Sequence, residues 1–371
     1  MTLFTKNFII SFILVLVFFF NQPLSAAADR DLPRGNTKKT LKQSDREKKT
    51  KRSTRTQTSK NKIKQKIKKA TSKKKKKKAA SGRRRPGSGV MEVRSAELSI
   101  QPPVTASGGS LQELVENEII HLKNIGRLLP ADQVSLQVYD LNEKRMLADI
   151  NGNVIRNAAS LIKLFVMLAV YDSISRQEIQ ETPEIEHQIF RMIAVSDNGA
   201  TNSLIRRLGQ GDALQGIIGI NALTHKMGFS GSRLRELIPD GGRTYENQTT
   251  AADTTLFFRL LYEQKLVTPH YSQKMNNILL KSIHDRIKTH QISKDGVAVA
   301  DKTGYVRGLN GDCGIVYLKG QGNGCNDYVL SIIIENKTRP TDGGWGRKKS
   351  TAIRYLSDRI YQNLRNGQGK S

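Results

Sequence analysis

Positions 158–170 read AASLIKLFVMLAV, and Leu161, Ile162, Leu164, Phe165, Val166, Met167, Leu168 and Val170 leave almost no polar face. A helix over about 160–176 is therefore expected to be buried on every side. The segment LQELVENEIIHLKNIGRLL (111–129) has helical periodicity and is stopped by Pro130, whereas SLQVYDLNEKRMLADIN (135–151) reads as a hairpin turning at Asn142-Glu143. Further helices are expected at 186–195, at 198–208 (stopped by Gly209), at 220–227 (stopped by Gly228), through AADTTLFFRLLYEQ after Thr249-Thr250, at 269–281 and at 349–365. Three strand-like runs precede the last helix: GVAVADKTG (296–304), CGIVYLKG (313–320) and DYVLSIIIE (327–335). Strands at both ends with helices between them predict an α+β fold: one antiparallel sheet of about five strands built from both chain ends, flanked by helices, with an all-helical lobe inserted. No internal repeat is visible.

The first 109 residues do not fit this pattern. Lys6, the apolar run FIISFILVLVFFF (8–20) and LSAAA (24–28) read as an export signal covering 1–28, with cleavage most simply after Ala28. Thirteen residues at about 1.5 Å each fall short of a hydrocarbon core of about 30 Å, so an anchor is the weaker reading. The mature protein is expected to be soluble outside the cytoplasm, periplasmic or associated with the cell envelope.

Of the 371 residues, 61 are Lys or Arg and 33 are Asp or Glu, a net charge of +28. Residues 29–90 alone hold 26 Lys/Arg against the four acids Asp29, Asp31, Asp45 and Glu47, while 91–371 carry a net of only +5. Residues 29–109 are thus expected to form a disordered basic linker, and 110–371 a single catalytic domain. The linker suits an electrostatic tether to anionic envelope polymers or a lipid surface, at roughly 1 kcal/mol per Lys or Arg near such a surface; a solubilising spacer is the plainer alternative. Nucleic acid is a poor fit, since no reading module or interleaved aromatic residues are present.

Cys313 and Cys325 flank GIVYLKGQGNG, which reads as two strands and a Gly-rich turn. A cross-strand disulfide is the expectation in an exported protein, with two unpaired thiols as the alternative. No metal or other cofactor is implied: no HExxH pair occurs, and no His, Asp or Glu stands at ligand spacing from the cysteines.

Three short patterns carry chemistry. Ser160-x-x-Lys163 also occurs at Ser59–Lys62 and Ser72–Lys75 within the basic linker, so the pattern alone says little. Only the third copy opens a buried helix, where free backbone N–H groups favour an oxyanion and desolvation lowers a lysine pKa. A neutral amine one turn from a hydroxyl is what a serine nucleophile needs. Ser196-Asp197-Asn198 lies between two expected helices, where it could equally serve as a cap. Lys302-Thr303-Gly304 ends a strand, combining a fixed cation, a hydroxyl and a residue that lets a substrate backbone approach the strand edge.

The order S-x-x-K, S-D-N, K-T-G resembles the serine β-lactamase and penicillin-binding protein superfamily, and the S-D-N version resembles class A β-lactamases. The likeness runs from about Ser110 to the end and extends to TNSLIRRLG, INALTHKMGFSGSRL and TTAADTTLFFRLL. It implies Ser160 as the acylated nucleophile and Lys163 as its base or proton relay, with Ser196 passing a proton to the leaving nitrogen. Asn198 would hold the substrate amide and Lys163, and Lys302 and Thr303 the substrate carboxylate. The N–H groups of Ser160 and Tyr305 would form the oxyanion hole.

Three features depart from the family pattern. Ser160 and Ser196 are closer in sequence than is usual. The Ω loop, SRLRELIPDGGRTYENQTTA, lacks an E-x-x-L-N motif and offers Glu236 (with Asp240) or Glu246 instead. The strand after K-T-G reads NGDCG, with Arg307 the only nearby arginine. The resemblance implies an exported serine hydrolase opening β-lactam rings, with Glu236 as the deacylating base. The alternatives are a D,D-peptidase-like acyltransferase on D-Ala-D-Ala-type cell-wall peptides, or a binding protein of slow turnover.

Overall fold

In a computed structural model of the chain, the structure describes residues 110–239, 241–318 and 325–367. The expected leader (1–28) and basic linker (29–109) lie outside the described residues, as do Asp240 and the Gly-rich connection at 319–324.

In chain order, helix α1 (Leu111–Asn124) is followed by strands β1 (Gln133–Asp140), β2 (Arg145–Ile150) and β3 (Arg156–Asn157). A 3₁₀ turn (Ala159–Ile162) leads into α2 (Lys163–Ser175), then α3 (Pro183–Ala194), α4 (Asn198–Leu208) and α5 (Ala213–Lys226). Next come β4 (Gln248–Thr249), α6 (Ala251–Tyr262), α7 (Pro269–Leu279) and the short α8 (His290–Lys294). The chain returns to the sheet with β5 (Ala298–Val306), β6 (Leu309–Tyr317) and β7 (Tyr328–Glu335), and closes with α9 (Trp345–Arg365).

The main sheet has five antiparallel strands in the order β2-β1-β7-β6-β5, as the pattern at the two chain ends predicts. Strand β7 zips the two ends together, from Gln133↔Glu335 to Asp140↔Tyr328. Its alternation separates two cores: Leu330, Ile332 and Ile334 pack with α1 and α9, whereas Val329 and Ile333 face the helical lobe. Lone α2 is apolar all round because it runs through the middle of that lobe, with Phe165 edge-on to Phe229 (5.2 Å) and Phe257 (6.0 Å). Strand β5 is the outer edge of the sheet, which leaves one side of K-T-G unpaired by other strands.

Several expectations shift. Helix α5 begins at Ala213, capped by Asp212, rather than near 220. Gly216 and Gly219 interrupt its hydrophobic pattern, and Gly216 is needed there: a Cβ would lie 2.0 Å from the Ile205 carbonyl oxygen of α4. Helix α1 ends at Asn124, short of Pro130, and the chain turns through Gly126 at φ +69. The β3–β4 ladder and α8 are too short to show a period.

The expected disulfide does not form. Cys313 and Cys325 are both buried free thiols. Strand β6 starts at Leu309, four residues before Cys313, and the register sets Cys313 opposite Ser331 of β7. The two sulfurs then belong to different cores, Cys313 with the helical lobe and Cys325 with the α1–α9 side.

Candidate active site

The turn that presents Ser160 is held from behind. Ala159 sits at φ +42, a left-handed conformation that a non-glycine residue adopts only under constraint. The constraint is local: the Asn157 Oδ1 accepts the Ala159 N–H at 2.7 Å, and the Ala158 N–H is donated to the Asn247 carbonyl at 2.7 Å. Ser160 is left half-buried, one turn ahead of Lys163.

Lys163 is completely buried at the first position of α2. Its Nζ donates to Ser196 O (2.6 Å), Asn198 Oδ1 (2.8 Å) and Ser196 Oγ (3.2 Å), so as an ammonium all three of its hydrogens are engaged by the S-D-N loop. Desolvation, reinforced by the nearby Lys302 charge and opposed by Asp197, brings its pKa down to about 6. At neutral pH the amine therefore carries a lone pair.

Ser196, at φ +57, is the hub. Its Oγ lies 3.2 Å from Lys163 Nζ and 3.0 Å from Lys302 Nζ. With Lys163 neutral and Lys302 charged, this hydroxyl can donate to one amine while accepting from the other. Lys302 is fully buried and also donates to the Thr303 carbonyl at 2.9 Å. Burial pulls its pKa down to about 8 against the attraction of Asp301 and Asp312. Asp197 caps α4 by accepting the Ala200 N–H at 2.7 Å, so the middle residue of S-D-N fixes the loop while its neighbours face the lysines.

Gly304 also has a reason within the fold. It lets the K-T-G strand reach the Ser160 turn: a Cβ at 304 would stand 2.9 Å from Leu161 Cγ and 3.1 Å from the Ala158 carbonyl oxygen. Thr303 is buried beside it, and Tyr305 follows with its ring over Gly346, still 54% exposed. Ser160, Lys163, Ser196, Asn198, Lys302, Thr303, Gly304 and Tyr305 thus belong to one locality, assembled from the 3₁₀ turn, α2, the α3–α4 loop and β5.

Glu236 sits within the loop as a brace. Its Oε1 accepts from Thr244 Oγ1 (2.7 Å), Tyr245 N (3.0 Å) and Glu246 N (3.2 Å), so this oxygen ties one limb of the loop to the other. The loop residue that meets the S-D-N helix is Ile238. Asn202, one turn beyond Asn198, holds both its carbonyl (2.8 Å) and its N–H (2.9 Å). Ile238 is buried and apolar. Gly242 brings the loop tip against Asn198, where a Cβ would come within 2.9 Å of Nδ2. Of the bracing residues, Asn202 and Asn247 act on backbone 11 to 36 positions away, which no local pattern reports, whereas Asn157 acts on Ala159 two residues on.

A sequence model described as the beta-lactamase enzyme family matches residues 121–189 and 177–364. The chain belongs to the β-lactamase enzyme family. Membership supports a β-lactamase-like function, a hydrolase acting on β-lactams. A search of curated protein sequences gives no significant match. Among solved structures, this family member is similar to a mutant of PBP-A in acyl-enzyme complex with penicillin G, with 20% identity and a TM-score of 0.56 over 71% of this chain and 100% of PBP-A. It also resembles a β-lactamase from Sphaerobacter thermophilus (22% identity, TM-score 0.55, 69% of this chain and 97% of the other). A class A β-lactamase from Bacteroides cellulosilyticus gives 19% identity and a TM-score of 0.55 over 70% of this chain and 100% of the other. At these identities the likeness shows the shared β-lactamase/transpeptidase fold.

Proposed function

We propose that this protein is an exported serine hydrolase that opens β-lactam rings through an ester on Ser160 and releases the product slowly. The observation that carries the reading is the double approach of Lys163 and Lys302 to Ser196 Oγ, at 3.2 and 3.0 Å. In the step proposed, neutral Lys163 takes the Ser160 proton as Oγ bonds to the lactam carbonyl carbon. The ring C–N bond then breaks and its nitrogen receives a proton through Ser196. Ser160 N–H and Tyr305 N–H would hold the oxyanion. Lys302 and Thr303 would hold the substrate carboxylate, and Asn198 its amide.

Slow release rests on the loop. Glu236 Oε1 is taken by the loop itself, and the residue docked on the S-D-N helix is Ile238. Among the described residues no carboxylate stands at that docking point to activate water against an acyl-enzyme. The slow step also favours a second reading, a D,D-peptidase-like acyltransferase on D-Ala-D-Ala-type peptides, in which a peptide amine rather than water accepts the acyl group.

Intact-mass measurement over time with penicillin tests the proposal. A Ser160 adduct that persists, and that S160A lacks, is the expected result. Rapid return to the free mass would overturn slow release, and absence of any adduct would overturn the nucleophile. Export and tethering rest on the sequences at 1–28 and 29–90. Deleting 29–90 should abolish retention on an anionic column without changing adduct formation.

A further inference from the structure

Behind the K-T-G strand lies a second pair of buried charges. Asp301 is 1% exposed and Asp312 is fully buried. The β5–β6 register sets Asp301 opposite Gly314 and Thr303 opposite Asp312, so the two aspartates are diagonal neighbours on one face. Gly314 makes the room: a Cβ there would be 2.8 Å from both Cα and Cβ of Asp301. Asp301 is pushed well above the usual carboxylate range, chiefly by burial and then by the Asp312 charge, and Asp312 is raised by burial. Asp301 Oδ2 and Asp312 Oδ1 nevertheless have no donor among the described residues. Two ionised carboxylates cannot satisfy one another, whereas a single proton between them satisfies both.

The partners decide where that proton sits. Asp312 Oδ2 accepts the N–H groups of Arg286 (2.7 Å) and Ile287 (2.9 Å), and the Arg286 charge acts on the same carboxylate. Among the described residues Asp301 Oδ2 has no donor, and the Lys302 charge, outweighed by burial and by Asp312, is what favours its ionised form. Asp312 therefore keeps the negative charge and Asp301 keeps the proton.

This matters for Lys302. Its Nζ contacts only neutral oxygens, Ser196 Oγ and the Thr303 carbonyl. The charges that act on it are Asp301 and Asp312, which favour its proton, and Arg286 and Lys163, which oppose it, with the exposed His284 also within electrostatic reach. Asp285 acts on the pair itself and raises Asp301 further.

We infer that Asp301 and Asp312 act as one proton-sharing unit of single negative charge that keeps the buried Lys302 cationic, and so keeps the pocket one positive charge in excess for an anionic substrate. With Lys302 and Arg286 each +1 and the pair −1, the cluster is +1 when empty and neutral when a substrate carboxylate binds. Two ionised aspartates would cancel that excess and weaken the attraction. The aspartates are positioning residues that act through Lys302, and the inference rests on the acylation reading above.

Two measurements test it. In the wild-type protein at neutral pH, an infrared difference spectrum against D301N should show the carbonyl stretch of a buried protonated carboxyl; its absence overturns the inference whatever the protein's activity. The alkaline limb of the Ser160 acylation rate should move down by about one pH unit or more in D312N, which strips the pair of its charge. It should stay in place in D301N, which mimics the protonated partner. Equal shifts in both variants, or none in D312N, overturn the shared-proton assignment. If wild type forms no adduct, the acylation reading fails while the infrared result still decides the pair.

Discussion

Lys163 from α2 and Lys302 from β5 converge on a single hydroxyl, Ser196 Oγ, at 3.2 and 3.0 Å. Two buried amines this close cannot both stay charged without cost, and the asymmetry of their surroundings separates them. Lys163 is brought to about 6 by burial and by Lys302, while Lys302 stays near 8 because two aspartates stand behind it. One becomes a base and the other remains a cation, on either side of a serine able to pass a proton.

The pH profile of acylation follows from that pair. Lys163 must be neutral, so the rate should rise as pH climbs through about 6; Lys302 must be protonated, so the rate should fall as pH climbs through about 8. The second-order rate of adduct formation, measured across pH, should be bell-shaped with its maximum near neutrality. A rate that keeps rising beyond pH 9 would remove Lys302 from the chemistry.

Gly304→Ala should damage catalysis more than folding. The added Cβ would meet Leu161 Cγ at 2.9 Å and the Ala158 carbonyl at 3.1 Å, pushing the Ser160 turn away from β5. A displacement of about 1 Å can cost roughly a hundredfold in rate. Acylation should therefore fall by about ten- to a hundredfold with only a small change in Tm, read by adduct kinetics and calorimetry side by side.

Glu236 can be assigned by comparing two substitutions. E236Q keeps an oxygen able to accept from Thr244, Tyr245 and Glu246, so a bracing role predicts nearly unchanged deacylation. E236A removes that acceptor, should loosen the 236–247 limb and should slow acylation several-fold. A deacylation rate that collapses in E236Q would make the carboxylate the water base after all.

Far from the site, Lys349 and Asp132 form a fully buried ion pair at the start of the closing helix, with Asp132 also accepting from Trp345 Nε1 (3.0 Å), Asn336 Nδ2 (2.7 Å) and the Leu129 N–H (2.7 Å). Burial alone would raise the Asp132 pKa, but Lys349 and the other donors outweigh it and hold the carboxyl below its usual range. A depressed folded pKa means the stabilisation is present above the ordinary carboxylate pKa and is lost as pH falls through the folded value. K349A leaves an unpaired buried carboxylate and should cost about 3–5 kcal/mol in urea unfolding near pH 7. A loss under about 1 kcal/mol would mean the pair is solvated.

The sequence by itself determined most of the elements and singled out the three motifs. Strand alternation at both chain ends, the unbroken apolar run of α2 and the three motifs are local patterns, so the five-stranded sheet, the helical lobe and the motif residues were legible without coordinates. The disulfide expectation failed for a related reason: proximity in sequence does not report which face of a sheet each cysteine takes, and that depended on β6 starting at Leu309. Tertiary structure alone decided how the motifs meet. It set Gly304 against the Ser160 turn, docked Ile238 rather than Glu236 on the S-D-N helix, and placed the Asp301–Asp312 pair behind Lys302. These relationships join residues from 11 to more than a hundred positions apart, and their electrostatic effect depends on burial that no local pattern encodes.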